Sequence, residues 1–220
     1  DLLAQDVLAY AADFNGQSPA PQGRIEPLAL DVTDKAALQK TVQQIVQNHQ
    51  RIDCLVYVAG GVRGQSPKPL EEVAAEDFSA IVDANLTGAF LTAQAVVPSM
   101  KQKGFGRIVV IASRAGLAPS LTGIQSYAAA KHAQVGLVKQ LAHELGKFGI
   151  TVNAVAPGPT RSPMTEALGP KMLADREKLM AELSVDVLKH LSNKSHEEQL
   201  RHMQERIQMR QAAQKQPKAE

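Results

Sequence analysis

The sequence predicts an α/β protein: a parallel sheet with helices on both faces. Three observations predict it. Strand-like and helix-like runs alternate over roughly the first 165 residues. The strand candidates are continuous apolar runs rather than alternating ones, as expected of strands covered on both faces. Most of them end in small, turn-forming or polar residues, which places a strand-to-loop transition at each tip.

The elements follow in order. "RIEPLAL" (24–30) is a short strand candidate. A helix is predicted over 33–48, with Leu38, Val42 and Ile45 on one face and Thr33 or Asp34 as its cap. "IDCLVYVAG" (52–60) reads as a buried strand ending in glycine. Residues 71–85 and 87–103 read as helices, and "GRIVVIAS" (106–113) as the next buried strand. A long helix is predicted over 126–148, with a stripe at Ala130, Gln134/Val135, Val138, Leu141, Leu145 and Phe148. "ITVNAVAPG" (150–158) is a third buried strand, stopped by Pro157 and Gly158. Residues 1–165 then form the main domain. Residues 166–210 form a charged helical segment, with Leu179, Leu183, Val187 and Leu191 on one helix and Leu200, Met203 and Ile207 on another. Residues 211–220 read as a disordered tail.

Composition bounds the function. The chain has 220 residues, 44% hydrophobic and 21% charged, enough for one domain with a sizeable core. A net charge of +2 argues against a nucleic-acid or anionic-membrane partner. The uncharged run 84–100 carries Asn85, Thr87, Thr92, Gln94 and Ser99, and reads as a helix buried against protein rather than a membrane span. The single cysteine, Cys54, lies in an apolar run and reads as a small buried hydrophobe. It allows no internal disulfide and fits a reducing compartment, so a cytoplasmic location is expected. The chain begins at Asp1 without methionine, which leaves targeting open. No metal site is expected.

"QSYAAAKHA" (125–133) places Tyr127 and Lys131 four residues apart, on one face of a helix. An ammonium beside a phenol favours the phenolate, which suits a general acid/base. With three tyrosines in the chain, chance alone gives about 0.2 such pairs, and a solvated lysine beside a half-buried tyrosine is the plain alternative. Ser113 ends a strand, at the edge where ligands bind in open α/β sheets, or is simply a turn cap. Asn85 is a polar residue inside an apolar helical stretch and needs partners there, or marks a kink.

At these residues the chain resembles the short-chain dehydrogenase/reductase family. The matching blocks are "LALDVTD", "LVYVAGG", "DANLTGAF", "GRIVVIASRAG", "QSYAAAKHAQVGL" and "ITVNAVAPGPTRSPM". They stand in family order and at family spacing. The resemblance implies a Rossmann-like fold and hydride transfer between NAD or NADP and a carbonyl or secondary alcohol. Tyr127 would be the general acid/base. Lys131 would support its phenolate and bind the nicotinamide ribose. Ser113 would hydrogen-bond the substrate oxygen, and Asn85 would anchor a water behind Lys131. Asp31 and Val32 would contact adenine, Ala59 and Gly60 the adenosine ribose. Pro157, Gly158 and Thr160 would surround the nicotinamide, with Ser162 near its carboxamide. A homodimer or homotetramer paired through the helices at 87–103 and 126–148 is implied as well. Reduction of 3-oxoacyl thioesters is the default substrate reading, with sugar, steroid, cyclic diol and dihydrodiol oxidation open beside it.

The chain departs from that pattern. The glycine-rich phosphate loop and the first strand and helix have no match in it, and neither does the last strand with its Gly-Gly. The expectation is a fragment of a longer chain. If it is not one, 24–30 should move over to pair with 52–58, since strand 1 would otherwise separate them. Asp1 stands where an acid could accept from a ribose 2′-OH and favour NAD over NADP, or it is only a truncation point. Tyr57 and Val58 replace two family asparagines. His132 points about 100° away from Lys131 and reads as a surface or packing residue. The alternative function is a non-catalytic module of the same fold.

Overall fold

The computed structural model describes residues 11–12, 25–120 and 122–158. Asp1, Thr160 and Ser162, the predicted helices of 166–210 and the tail at 211–220 lie outside the described residues. Of the amphipathic run 1–14, Ala11 and Ala12 are described. Both are helical, and Ala11 is buried.

Asp34 opens the first helix, α1 (Lys35–His49), by accepting from Ala37 N at 3.0 Å. This satisfies one of the N–H groups that a helix start leaves without a partner. The helix closes on Gln50 in the left-handed region, φ 64°, whose N–H reaches back to Val46 O. Three strands follow: β1 (Cys54–Tyr57), β2 (Gly106–Ile111) and β3 (Ile150–Val155). They form one parallel sheet in the order β1-β2-β3, with Tyr57 opposite Val110 and Val110 opposite Ala154.

Between β1 and β2 runs an unbroken helical stretch. It comprises α2 (Ala75–Val82), a π-helical turn (Asp83–Thr87) and α3 (Gly88–Lys103). By length and composition alone, 75–103 could cross a membrane. Here Ala89, Val96 and Met100 pack under the sheet instead. The first turn begins at Ala75 rather than 71, because residues 70–72 form a separate 3₁₀ turn. The last helix, α4 (Gln125–Leu145), runs on through a 3₁₀ turn into Gly149 and β3.

The core lies on one face of the sheet. Tyr57, Ile108, Val110, Ile150 and Val152 point to it, and Ala89, Val96 and Met100 of α3 and Val138 and Leu145 of α4 close over them. Val42 of α1 packs against the same cluster. The side chains alternate across the strands, so Cys54, Val56 and Val155 point the other way. Val56 is 54% exposed and Val155 49%. The described helices therefore cover one face, where the sequence reading expects helices on both. This corrects the reading of Cys54 as buried: it is exposed, on the face that no described helix covers.

The strand expected at 24–30 is not seen. Residues 25–30 belong to no strand and do not pair with β1, whose neighbour among the described residues is β2 alone. A strand is stabilised by a hydrogen-bonded neighbour, and Pro27 in the middle of this segment brings no N–H to a ladder.

Ile108 is fully buried at the centre of the sheet. Ile108→Ala should lower the unfolding free energy by about 3 kcal/mol, read as a lower urea midpoint with an unchanged slope.

Candidate active site

Because the strands are parallel, their carboxyl ends share one edge. Ala59 and Gly60 follow β1, Ser113 follows β2, and Pro157 and Gly158 follow β3. Backbone bonds tie two of these loops together: Ala112 N donates to Val155 O at 2.8 Å and Arg114 N to Pro157 O at 2.9 Å. Ser113 sits between those two bonds. Its Oγ accepts from Ala115 N at 3.1 Å, capping the short turn Arg114–Gly116. It is thus a cap and a strand-edge hydroxyl at once. Among the described residues its hydroxyl proton is given to no protein acceptor.

Tyr127 stands in the first turn of α4, half-buried. One turn on, Lys131 is 4% exposed, and its Nζ lies 5.6 Å from the Tyr127 ring centroid. The ammonium donates to Ile111 O at 2.9 Å, at the end of β2, and to Gln134 Oε1 at 3.1 Å. Burial pushes the Lys131 pKa down from its ordinary 10.5 to about 8. His132 faces away, its Nδ1 beside Ala128 O at 2.9 Å, exposed as expected.

Asn85 is fully buried in the π-turn. Its Nδ2 donates to Gly61 O and Ile81 O, both at 2.8 Å, and its Oδ1 accepts from Gly61 N at 3.1 Å. The carboxamide therefore clamps the loop after β1 onto the helix. Gly60 must be glycine for this: its φ is +138°, and a Cβ there would strike Asn85 Oδ1. Asp31, after the segment 25–30, accepts from Thr33 N at 2.8 Å and Thr33 Oγ1 at 2.7 Å, which holds its carboxyl below the usual range. Val32, next to it, packs against the core cluster.

Two residues of the site did not stand out in the sequence. Gln134 lay in a stripe read as apolar, yet it is fully buried and its Nε2 donates to Asn85 O at 2.6 Å. Tyr57 stood out only as a departure. Its hydroxyl donates to Ala84 O at 2.6 Å, inside the π-turn. Burial, with Asp31 as a smaller cause, pushes its pKa far up, so it stays a neutral donor. It fits because residue 88 is glycine: a Cβ at Gly88 would meet the Tyr57 hydroxyl. A tyrosine at a strand tip and a glycine inside a helix were the available signals.

The family profile described as short chain dehydrogenase matches residues 5–173. The chain belongs to the short chain dehydrogenase family. The 3-oxoacyl-(acyl-carrier-protein) reductase of Thermotoga maritima is 40% identical over 149 residues, covering 68% of this chain and 59% of that protein. The cyclohexanol dehydrogenase of a Rhodococcus species is 39% identical, covering 66% and 56%. The crystal structure of a 3-oxoacyl-(acyl-carrier protein) reductase with bound NAD from Brucella melitensis superposes with a TM-score of 0.66 at 37% identity, covering 74% of this chain and 61% of that one. The chain thus spans about three fifths of the length of the curated relatives it matches.

The residues present fit part of a nicotinamide dinucleotide. Gly61, φ +105°, has open space where a Cβ would stand, so a flat ligand can approach the backbone there. The ammonium of Lys131 uses two of its three donors on protein and keeps one. Among the described residues, no glycine-rich loop leads from a strand directly into a helix N-terminus, the usual cradle for a pyrophosphate.

Two outcomes follow. Tyr57→Phe leaves Ala84 O buried without its side-chain donor and should cost about 1–2 kcal/mol in urea unfolding. Lys131→Met removes a buried charge. In the native chain Lys131 stays protonated up to about pH 8, and in the unfolded chain up to about 10.5. Its burial penalty therefore applies in full below pH 8 and fades as pH rises between the two values. Any stability advantage of Lys131→Met should shrink over that window, measured by unfolding curves at pH 7 to 11.

Proposed function

We propose that the protein is an oxidoreductase that moves a hydride between a nicotinamide dinucleotide and a carbonyl or secondary alcohol. The observation that carries this is the buried Lys131 ammonium, 5.6 Å from the Tyr127 ring, at the strand edge that holds Ser113. In the reducing direction Tyr127 gives its phenolic proton to the substrate oxygen. The phenolate left behind is stabilised by the Lys131 cation, which predominates at neutral pH since it titrates near 8. The Ser113 hydroxyl hydrogen-bonds the same substrate oxygen and orients it. Oxidation runs these steps backwards. When bound, the nicotinamide supplies or accepts the hydride. Lys131 would hold its ribose, Pro157 and Gly158 would border its ring, and Asp31, Val32, Ala59 and Gly60 would line the adenosine end.

A 3-oxoacyl thioester, or a small cyclic ketone and its alcohol, is the favoured substrate class. The two relatives above are named for a 3-oxoacyl-(acyl-carrier-protein) and for cyclohexanol, and they are 40% and 39% identical to this chain. The exposed side of α3, where Phe90 is 42% exposed, supports pairing with a second copy. NAD is favoured over NADP through the acid at Asp1.

A second reading is a module of the same fold that binds no dinucleotide. One observation favours it: Tyr57 and Val58 stand where the resemblance implies two asparagines, so the side-chain hydrogen bonds beside Ala59 and Gly60 are lost. Titration of NADH fluorescence separates the two readings, because saturable enhancement is expected only of the first. Tyr127→Phe should then cut turnover of a 3-oxoacyl thioester roughly 10²–10⁴-fold with NADH affinity unchanged. Turnover equal to wild type would remove Tyr127 from the chemistry.

A further inference from the structure

Gln134 lies on α4 three residues beyond Lys131, fully buried, and nothing in the hydride-transfer reading uses it. Its two hydrogen bonds fix its orientation without ambiguity. A lysine ammonium can only donate and a backbone carbonyl can only accept. Oε1 must therefore face Lys131, at 3.1 Å, and Nε2 must face Asn85 O, at 2.6 Å. The side chain is a direct bridge from the cation beside Tyr127 to the carbonyl of the buried asparagine. By resemblance a water is expected behind Lys131, anchored by Asn85. Here a side-chain amide spans the two groups.

The π-turn prepares this bridge. Two successive carbonyls of the turn are taken by side chains from other elements: Ala84 O by Tyr57 of β1 and Asn85 O by Gln134 of α4. A helix whose bonding register is widened in this way presents carbonyls to lateral donors. The other end of the bridge is equally fixed. Lys131 is held from the sheet side by Ile111 O at 2.9 Å, and a Cβ on Gly116 would strike the Lys131 backbone carbonyl, so the turn after β2 packs tightly on α4.

We propose that Gln134 is a positioning residue for Lys131: its amide ties the ammonium to the carbonyl of Asn85 and so holds the cation beside Tyr127. The positioning stands on the hydrogen bonds, and its bearing on catalysis rests on the dehydrogenase reading above.

The test separates the positioning from the dehydrogenase reading. Lys131 is titrated by its ¹³Cε and ¹⁵Nζ resonances in the full chain without cofactor. Burial depresses its pKa. In Gln134→Leu the ammonium loses a carbonyl acceptor, and its midpoint should fall by roughly one pH unit. In Gln134→Glu, which keeps the shape and supplies a carboxylate, it should rise by about one unit or more. Because the glutamate variant is isosteric, it remains informative if the leucine variant unfolds. Midpoints in both folded variants that match wild type would overturn the positioning role and leave Gln134 a buried amide with a packing role only. The second arm is wild-type turnover of a 3-oxoacyl thioester with NADH. If wild type shows no turnover while the lysine midpoints shift as stated, the dehydrogenase reading fails and the positioning of Lys131 stands.

Discussion

Asn85 is a carboxamide sealed away from solvent, and the rest of the site is arranged around the need to satisfy it. A buried amide left without partners costs about 1–3 kcal/mol for each lost bond. Here both side-chain polar atoms and the carbonyl have partners: Gly61 after β1, Ile81 one turn back in the same helical stretch, and Gln134 in α4. Each partner imposes a condition. The loop after β1 must come close enough for a two-point clamp, which requires Gly60 to lack a side chain. The helix must open into a π-turn so that the side chain faces the loop and the carbonyl faces α4. The turn in turn needs Tyr57 on Ala84 O, and Tyr57 needs Gly88. One polar residue thereby couples a strand tip, a helix defect and a second helix.

Lys131 is the second costly group, and the same arrangement makes it tolerable. An ammonium moved out of water loses solvation that only strong acceptors can replace. Ile111 O and Gln134 Oε1 replace part of it, and the residual penalty shows as the depressed pKa near 8. A deeper burial without these acceptors would strip the charge. A fully solvated lysine would keep its charge but would be screened and mobile. The observed position lies between, and two hydrogen bonds, at 2.9 and 3.1 Å, define it.

Much of this was legible in the residues, for physical reasons that can be named. The three apolar runs gave the strands because their periodicity is local. Asp34 gave the start of α1 because a cap is a local signal. Asn85 was legible as a kink residue in a helical run, and a π-turn is the kink it marks. What escaped depended on contacts across the fold. Gln134 sits at a core position of α4, and only the carbonyl opposite shows why an amide belongs there. Cys54 and Val56 look like core residues in sequence, but burial on a strand depends on what lies over each face, and among the described residues only one face is covered. The segment 25–30 has a strand-like composition, yet pairing is a property of two segments, and its partner is not found among the described strands.

The departure at "YVAGG" shows how a substitution can divide its effects between the faces of one strand. Successive residues at the tip of β1 point in opposite directions: Tyr57 inward, 3% exposed, and Val58 outward, 66% exposed. Inward, the change is compensated. The phenol finds Ala84 O, and the glycine at position 88 leaves room for it, so the turn that carries Asn85 is braced from the strand. Outward, nothing in β1 restores the hydrogen bonds that an amide side chain at position 58 would offer. The two consequences therefore fall on different parts of the site. The buried cluster of Asn85, Gln134 and Lys131 is braced from beneath by Tyr57, while the surface beside Ala59 and Gly60 has only backbone and the open approach over Gly61 to offer a ligand. A strand end built this way fixes its buried side firmly and leaves its outer side open.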